Sequence, residues 1–387
     1  MNPYYFQTAR RIISGAHSFE QLTDYLQGFD EVKSIYVLCS PTIKRLGHLD
    51  SLLNQLRRKG FSVEWNMDVK PEPTIQDIEA IYSSFVQNDC DFIIGIGGGS
   101  VLDAAKLLSV LRTNPLSLRD MLGVDKVQNP GIPTLLIPTT SGTGSEVTPN
   151  AIVTIPEEQV KIGIVSKYLL PELVIIDPIL TIGLPQAITA ATGMDAFTHA
   201  FESYISNKAN PFSDMFALES IRKIAGSIQQ AYHNGDDLGA RENMMIGSMY
   251  GGMALTCAGT AAVHAMAYPL GGTFQVTHGV ANAMLLPHVT EFNLDVIADR
   301  MTAVASAMGI ARSEGKSAQH AAESVLAQIE AWTKELNIPQ NLSSYGVKLE
   351  DVAQLAIAAS KVTRLMNNNP KPVKIEDIER IYRKLLV

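Results

Sequence analysis

The first half of the chain alternates between short apolar runs and amphipathic stretches. SIYVLCS (34–40), FSVEWNM (61–67) and DFIIGIGGG (91–99) have the composition and length of strands, while LDSLLNQLRRKG (49–60), TIQDIEAIYSSFVQ (74–87) and SVLDAAKLLSVL (100–111) carry helical spacing. Such alternation predicts βαβ units, and therefore a parallel sheet with helices on both faces. TLLIPTT (134–140), AIVTI (151–155), KIGIVS (161–166) and LVIID (173–177) extend the strand pattern. After Pro185 the pattern changes. The stretches 187–206, 213–233, 242–267, 298–308, 321–336, 349–362 and 375–386 all show helical periodicity, punctuated by Gly, Asn and Pro. The expected architecture is an α/β domain over 1–181 followed by an all-helical domain over 182–387, without internal repeats.

Bulk properties narrow the function. A chain of 387 residues with 46% hydrophobic and 18% charged content has ample apolar surface for two cores and is not a disordered one. The formal net charge of -8 argues against a nucleic-acid partner, which would call for clustered Lys and Arg. Cys39, Cys90 and Cys257 share no spacing that suggests a disulfide framework or a thiolate zinc site. The N-terminal stretch has no apolar signal core, so a soluble, cytoplasmic protein without a membrane partner is expected. One region stands apart. From 243 to 290 there is no Asp, Glu, Lys or Arg, yet three of the eight histidines, His264, His278 and His288, fall there. Pro269 and the Gly271–Gly272 pair interrupt it, which suits a buried core segment better than a membrane span.

Two loops suggest a nucleotide. GIGGGS (95–100) ends one strand and opens a helix, where glycines let the backbone approach a ligand and helix amides favour an anion. The run is not G-x-G-x-x-G, since Ser100 stands where the last glycine would, and it does not follow the first strand. A tight strand-to-helix turn is the bland alternative. Asp103 and Lys106 follow on the helix and are read singly as solvated charges. PTTSGTGSEVT (138–148) sets Thr139, Thr140, Ser141, Thr143 and Ser145 among glycines, a dense set of small donors suited to a pyrophosphate or ribose, or else to a polar surface loop.

The histidines suggest a metal. MDAFTHAFE (194–202) spaces Asp195 and His199 four apart, which puts both on one helix face. His264 and His278 lie fourteen residues apart, and a helix, a break at Pro269 and the Gly pair, and a return segment would bring them together. One carboxylate and three imidazoles form a coherent set for a divalent first-row ion, with a position open for substrate. His17, His48, His233, His288 and His320 lack such context and are expected to be structural or exposed.

GGGSVLDAAK, PTTSGTGSEVT, GMDAFTHAFESYIS and VHAMAYPLGGTFQVTHGVANAMLLPHV resemble, in order, the signature segments of the iron-containing (group III) alcohol dehydrogenase family. The resemblance runs through nearly the whole chain. It implies a dehydroquinate synthase-like architecture: a nucleotide-binding domain, a helical domain, and a metal and nicotinamide in the cleft between them. It implies Asp195, His199, His264 and His278 as metal ligands, with iron(II), zinc or another divalent ion as the metal. Gly97, Gly98, Gly99 and Ser100, with Asp103, fall on the pyrophosphate loop, and Thr139, Thr140 and Thr143 on the hydroxyl-rich cofactor loop. Lys161 is a weaker carry-over to the ribose. Two positions depart from the pattern. Tyr268 stands where many members have a further histidine, as a proton-path residue or simple packing. Ser40 stands where NAD-preferring members often carry aspartate, which leaves both NAD and NADP open.

The activity so implied is hydride transfer between NAD(P) and a small alcohol/aldehyde pair, in a homodimer or larger homo-oligomer. Asn150, Phe197, Arg364 and Asn367 are candidates for tuning the substrate. A metal- and NAD-dependent lyase of the dehydroquinate synthase type would want several basic residues near its substrate, which the uncharged span does not offer. A metal-dependent hydrolase would leave the two glycine-rich loops without a purpose.

Overall fold

A computed structural model describes residues 3–158, 160–310 and 317–386. Two compact units emerge, one comprising Gln7–Thr140 and Ser145–Thr181, the other Met1–Phe6, Ser141–Gly144 and Ile182–Val387. The short segments 3–6 and 141–144, expected with the α/β part, group with the helices.

Among the described residues the α/β unit holds nine strands: Arg11–Ser14 (β1), Ser34–Cys39 (β2), Ser62–Asn66 (β3), Phe92–Gly97 (β4), Gly123–Val124 (β5), Thr134–Pro138 (β6), Asn150–Ile155 (β7), Val160–Val165 (β8) and Leu173–Ile176 (β9). Six form a parallel sheet in the order β1-β9-β6-β4-β2-β3. Its inner strands FIIGIG, TLLIP and LVII are buried throughout, as expected of a sheet covered on both faces, whereas SVEWN at the edge is largely exposed. The continuous parallel sheet expected from 134 onward does not extend through β7 and β8. These pair antiparallel and, with β5, form a separate three-stranded sheet. The connection between them is too short for a parallel crossover. Strand β1, with only four residues, was not legible as a strand.

After β2 the chain crosses to β3 on one side, and after β4 to β6 on the other. The carboxyl ends of β2 and β4 therefore flank a topological switch point, where open α/β sheets leave a crevice for ligands. Helix Gly99–Thr113 (α1) starts there, directly after β4.

The helical unit centres on Gln186–Ile205 (α2), buried from Gly193 through Ile205. Against it pack Leu238–Ala258 (α3), Ala262–Phe274 (α4) and His278–Ala307 (α5). The helical stretch 242–267 is thus two helices, broken at Gly259 in the left-handed region (φ 71). The other expected break moves: α4 runs through Pro269, and the turn comes at Gln275 (φ 56), after which α5 begins at His278. No helix among the described residues is long and apolar enough to cross a membrane.

Candidate functional site

The helical unit gathers Asp195, His199, His264 and His278. One ligand atom from each, a carboxylate oxygen or an imidazole nitrogen, lies within 4.8 Å of the others. Asp195 and His199 occupy successive turns of α2, His264 the first turn of α4, and His278 the first residue of α5. The two helix breaks thus do what the expected single break was meant to do: each sets a histidine at the start of a helix aimed at α2. The His264 and His278 Nε2 atoms stand 3.8 and 3.7 Å from Asp195 Oδ1, and the rings of His199 and His264 stack at 4.6 Å.

The partners of these rings determine their tautomers. His199 Nδ1 lies 3.2 Å from the carbonyl oxygen of Gly142, which only accepts, so Nδ1 carries the proton and Nε2 a lone pair. His264 Nδ1 lies 2.6 Å from the carboxylate of Glu202, which only accepts, so Nδ1 carries a proton and Nε2 is the nitrogen turned toward Asp195. Segment 141–144 can carry the Gly142 carbonyl because Gly144 adopts φ 59 and a Cβ there would meet the backbone of Gly252 at 2.7 Å.

Charge follows the same logic. Burial alone would raise the Asp195 carboxyl, but three imidazoles and the Asn282 amide bring it below the ordinary carboxylate range. Burial pushes His199 down to about 4, against the pull of Asp195. An ionised carboxylate and a neutral imidazole are the forms that ligate a cation. Asn282 Nδ2 lies 2.7 Å from Asp195 Oδ1, 3.1 Å from His264 Nε2 and 3.2 Å from His278 Nε2, so the ligand atoms of three of the four residues converge on one amide nitrogen. Its own Oδ1 is buried without a hydrogen-bond partner among the described residues. Converging lone pairs in a buried setting are what a divalent cation satisfies, so the residues fit one.

Glu202 and Asn282 escaped the sequence reading. Glu202 lies three residues beyond His199 on the same face, so the legible pattern is D-x-x-x-H-x-x-E rather than the D-x-x-x-H pair alone. Asn282 lies four beyond His278, one turn along α5.

In the α/β unit, Ser40, Gly97, Gly98 and Thr139 lie at the switch point. Cys39 is in register with Ile96 and Gly97 with Pro138, so Ser40, Gly98 and Thr139 leave neighbouring strands at one edge. Ser40 precedes the short helix Pro41–Arg45, and Thr139 N continues the ladder to Gly97 O at 3.0 Å. Gly97 has a structural reason to be glycine, because a Cβ would come within 2.8 Å of the Val101 side chain. Gly98, Gly99 and Ser100 are half-buried at the start of α1, and Thr140 lies beside Gly98. Ser100 Oγ accepts the Glu72 amide at 3.1 Å. Thr143, on segment 141–144, belongs to the helical unit.

Asp103 and Lys106, read as solvated charges, are not. Lys106 is fully buried, its ammonium 3.2 Å from Asp103 and bonded to the carbonyls of Thr148 and Asn150. Asp103 also accepts from Ser145 Oγ and from the Ile152 amide, the latter at 2.9 Å. Helical spacing could reveal the Asp103–Lys106 pair, three residues apart, but not its burial, because the other partners come from 42 and more residues away. Lys161, on β8, pairs with Glu72 at 2.7 Å.

Tyr268 is buried and packs against Ala265 and Leu365, with its ring 6.0 Å from that of His278. Of the proposed tuning residues, Phe197 lies in the core against Phe201 and Trp332, Asn150 opens β7, and Arg364 and Asn367 are exposed.

Comparison with known proteins matches both halves. Residues 9–178 fit the family described as iron-containing alcohol dehydrogenase, and residues 189–386 the C-terminal part of the Fe-containing alcohol dehydrogenase family. A long-chain-alcohol dehydrogenase 1 of Geobacillus thermodenitrificans is 39% identical over 353 residues, covering 90% of this chain and 89% of its own. A 1,3-propanediol dehydrogenase of Klebsiella pneumoniae is 40% identical, covering 87% of each chain. The crystal structure of a 1,3-propanediol oxidoreductase superposes with a TM-score of 0.95 over all of both chains, at 36% identity.

Proposed function

The chain belongs to the iron-containing alcohol dehydrogenase family, and we propose that its alcohol dehydrogenase/aldehyde reductase activity runs on a divalent metal held by Asp195, His199, His264 and His278. The convergence of one carboxylate and three imidazole nitrogens, with two tautomers set by Gly142 and Glu202, carries this reading. When bound, the metal supplies Lewis acidity at the substrate oxygen and the nicotinamide supplies or takes the hydride. The chain's own contribution is placement. Gly142 and Glu202 hold two rings by Nδ1, Asn282 steadies the Asp195 carboxylate, and the surrounding helices keep permanent positive charge away from the donors.

The metal in the cell is proposed to be iron(II), although this donor set binds zinc at least as well intrinsically, so supply decides occupancy. The cofactor is proposed to lie against Ser40, Gly97, Gly98, Gly99, Ser100, Thr139 and Thr140, with Asp103, Thr143 and Lys161 contributing. It is NAD or NADP, because Ser40 offers a hydroxyl without the charge that repels a 2′-phosphate. The substrate is a small primary alcohol and its aldehyde, handled by a cytoplasmic homodimer or larger homo-oligomer. The 1,3-propanediol and long-chain-alcohol enzymes among its relatives bracket the chain lengths worth trying.

The test is a panel of aldehydes of increasing length with NADH and with NADPH, run on chelator-treated protein reloaded with iron(II), zinc or cobalt(II). Metal-dependent loss of reduced-nicotinamide absorbance is expected. Protein that binds metal and both cofactors but reduces no aldehyde would refute the reading. His264→Ala and His278→Ala should each lose bound metal and turnover together, and full metal occupancy in either variant removes that residue from the ligand set.

A further inference from the structure

We propose that Glu202 is the positioning residue of the metal centre: its carboxylate fixes the Nδ1–H tautomer and the orientation of His264, so that Nε2 is presented to the ion. The inference rests on the metal reading of Asp195, His199, His264 and His278 above. Glu202 is 1% exposed, and its two oxygens are committed. Oε1 accepts the Val263 amide at 2.7 Å, while Oε2 accepts the Ala261 amide at 2.9 Å, the His264 amide at 3.5 Å and His264 Nδ1 at 2.6 Å. One side chain therefore holds both the imidazole and the backbone that carries it. The amides at the N-terminus of α4 lack intrahelical partners and here find a carboxylate, whose remaining lone pairs are aimed at the ring.

The arrangement explains why α3 and α4 are separate helices. A continuous helix through Gly259 would bond the amides of residues 261–264 internally and withdraw them from Glu202. The break frees them, and Ser203 on α2 and Ser206 just past its end tie the break down through the carbonyls of Gly259, at 3.2 Å, and Ala258, at 2.8 Å. Asp195, His199 and Glu202 share a face of α2, so one helix supplies two ligands and the support of a third. A metal-bound imidazole whose other nitrogen donates to a carboxylate is a better and better-oriented ligand, and removal of such a partner commonly weakens metal binding 10–100-fold.

The experiment is chelator competition with cobalt(II) alone, on the full chain, for the wild type, Glu202→Gln, His264→Ala and Thr333→Ala, the last removing a buried hydroxyl that bonds the Glu330 carbonyl within the helix Ala318–Glu335. Glutamine keeps the size but turns one acceptor into an N–H₂ that faces backbone N–H groups. The expected result is one cobalt per chain in Glu202→Gln with affinity about 10–100-fold below wild type, unchanged affinity in Thr333→Ala, and loss of the site in His264→Ala. Wild-type affinity in Glu202→Gln, or an equal loss in Thr333→Ala, overturns the positioning role. Wild-type affinity in His264→Ala instead overturns the metal assignment itself. Should Glu202→Gln fail to fold, nitrogen-15 spectra of histidine-labelled, metal-free wild type decide. His264 must show a protonated Nδ1 and an unprotonated Nε2, and the opposite tautomer overturns the proposal.

Discussion

Glu146, in the serine- and threonine-rich loop, is fully buried beside Lys106 and Asp103, and offers a quantitative test of how the α/β unit handles charge. Burial raises its carboxyl from the ordinary 4.5 to about 7, opposed by its own backbone amide and by Lys106. Because the folded value lies above the unfolded one, the stabilising contribution of the protonated form is complete below 4.5. It is lost as pH rises from there through about 7, and is constant above. At 1.36 kcal/mol per pKa unit, the full loss amounts to about 3 kcal/mol, of which about 1 has gone by pH 5.5. Glu146→Gln, a neutral isostere, should therefore gain about 2 kcal/mol on the wild type between pH 5.5 and pH 8. Lys106 is not orphaned by the change, since Asp103 remains 3.2 Å away and the Thr148 carbonyl 3.3 Å. Urea unfolding of both proteins at the two pH values, in the presence of chelator, measures the difference. A stability difference that does not change with pH would mean that Glu146 is ionised throughout as a partner of Lys106, and would refute the reasoning.

Ser40→Asp places a negative charge at the carboxyl end of β2, where Lys44 is engaged over the Trp65 ring at 4.8 Å and does not neutralise it. It should lower kcat/KM for NADPH relative to NADH by roughly tenfold or more, the like-charge penalty of an unpaired contact, and an unchanged ratio would place Ser40 outside the ribose site. Tyr268→Phe tests the proton path against packing: contact with Ala265 and Leu365 predicts unchanged kcat and an unchanged pH–rate profile, whereas loss of an alkaline limb would assign the hydroxyl to proton transfer.

Strands and helix faces were legible in the sequence where burial is regular. SIYVLC, FIIGIG, TLLIP and LVII are continuous apolar runs because they are covered on both sides, and the D-x-x-x-H spacing on α2 put two donors on one face before any coordinates. What failed depended on partners distant in sequence. Nothing near Lys106 signals that its ammonium is satisfied by carbonyls 42 and 44 residues on, so it read as an ordinary surface charge. Pro269 read as a break, but the lost hydrogen bond and ring clash of a proline inside a helix can be offset by the tertiary packing of an uncharged, largely buried helix. The true breaks fall at Gly259 and Gln275, the second of which has no sequence signature because a left-handed glutamine is uncommon.

The uncharged span from 243 to 290 can be understood through the charge balance of the proposed centre. Three neutral imidazoles contribute nothing to the sum, and the Asp195 and Glu202 carboxylates together match a divalent cation. Both acids reside on α2, outside the span, so α3 from Asn243 onward, α4 and the start of α5 supply only dipoles, rings and one amide. In a buried setting, an added Lys or Arg would have to be neutralised by Asp195 or Glu202, and would take from the metal the partner that offsets its desolvation. An added Asp or Glu would leave the set one negative charge in excess and shift a pKa instead. The absence of permanent charge across those helices is thus the complement of two carboxylates placed on a single neighbouring one.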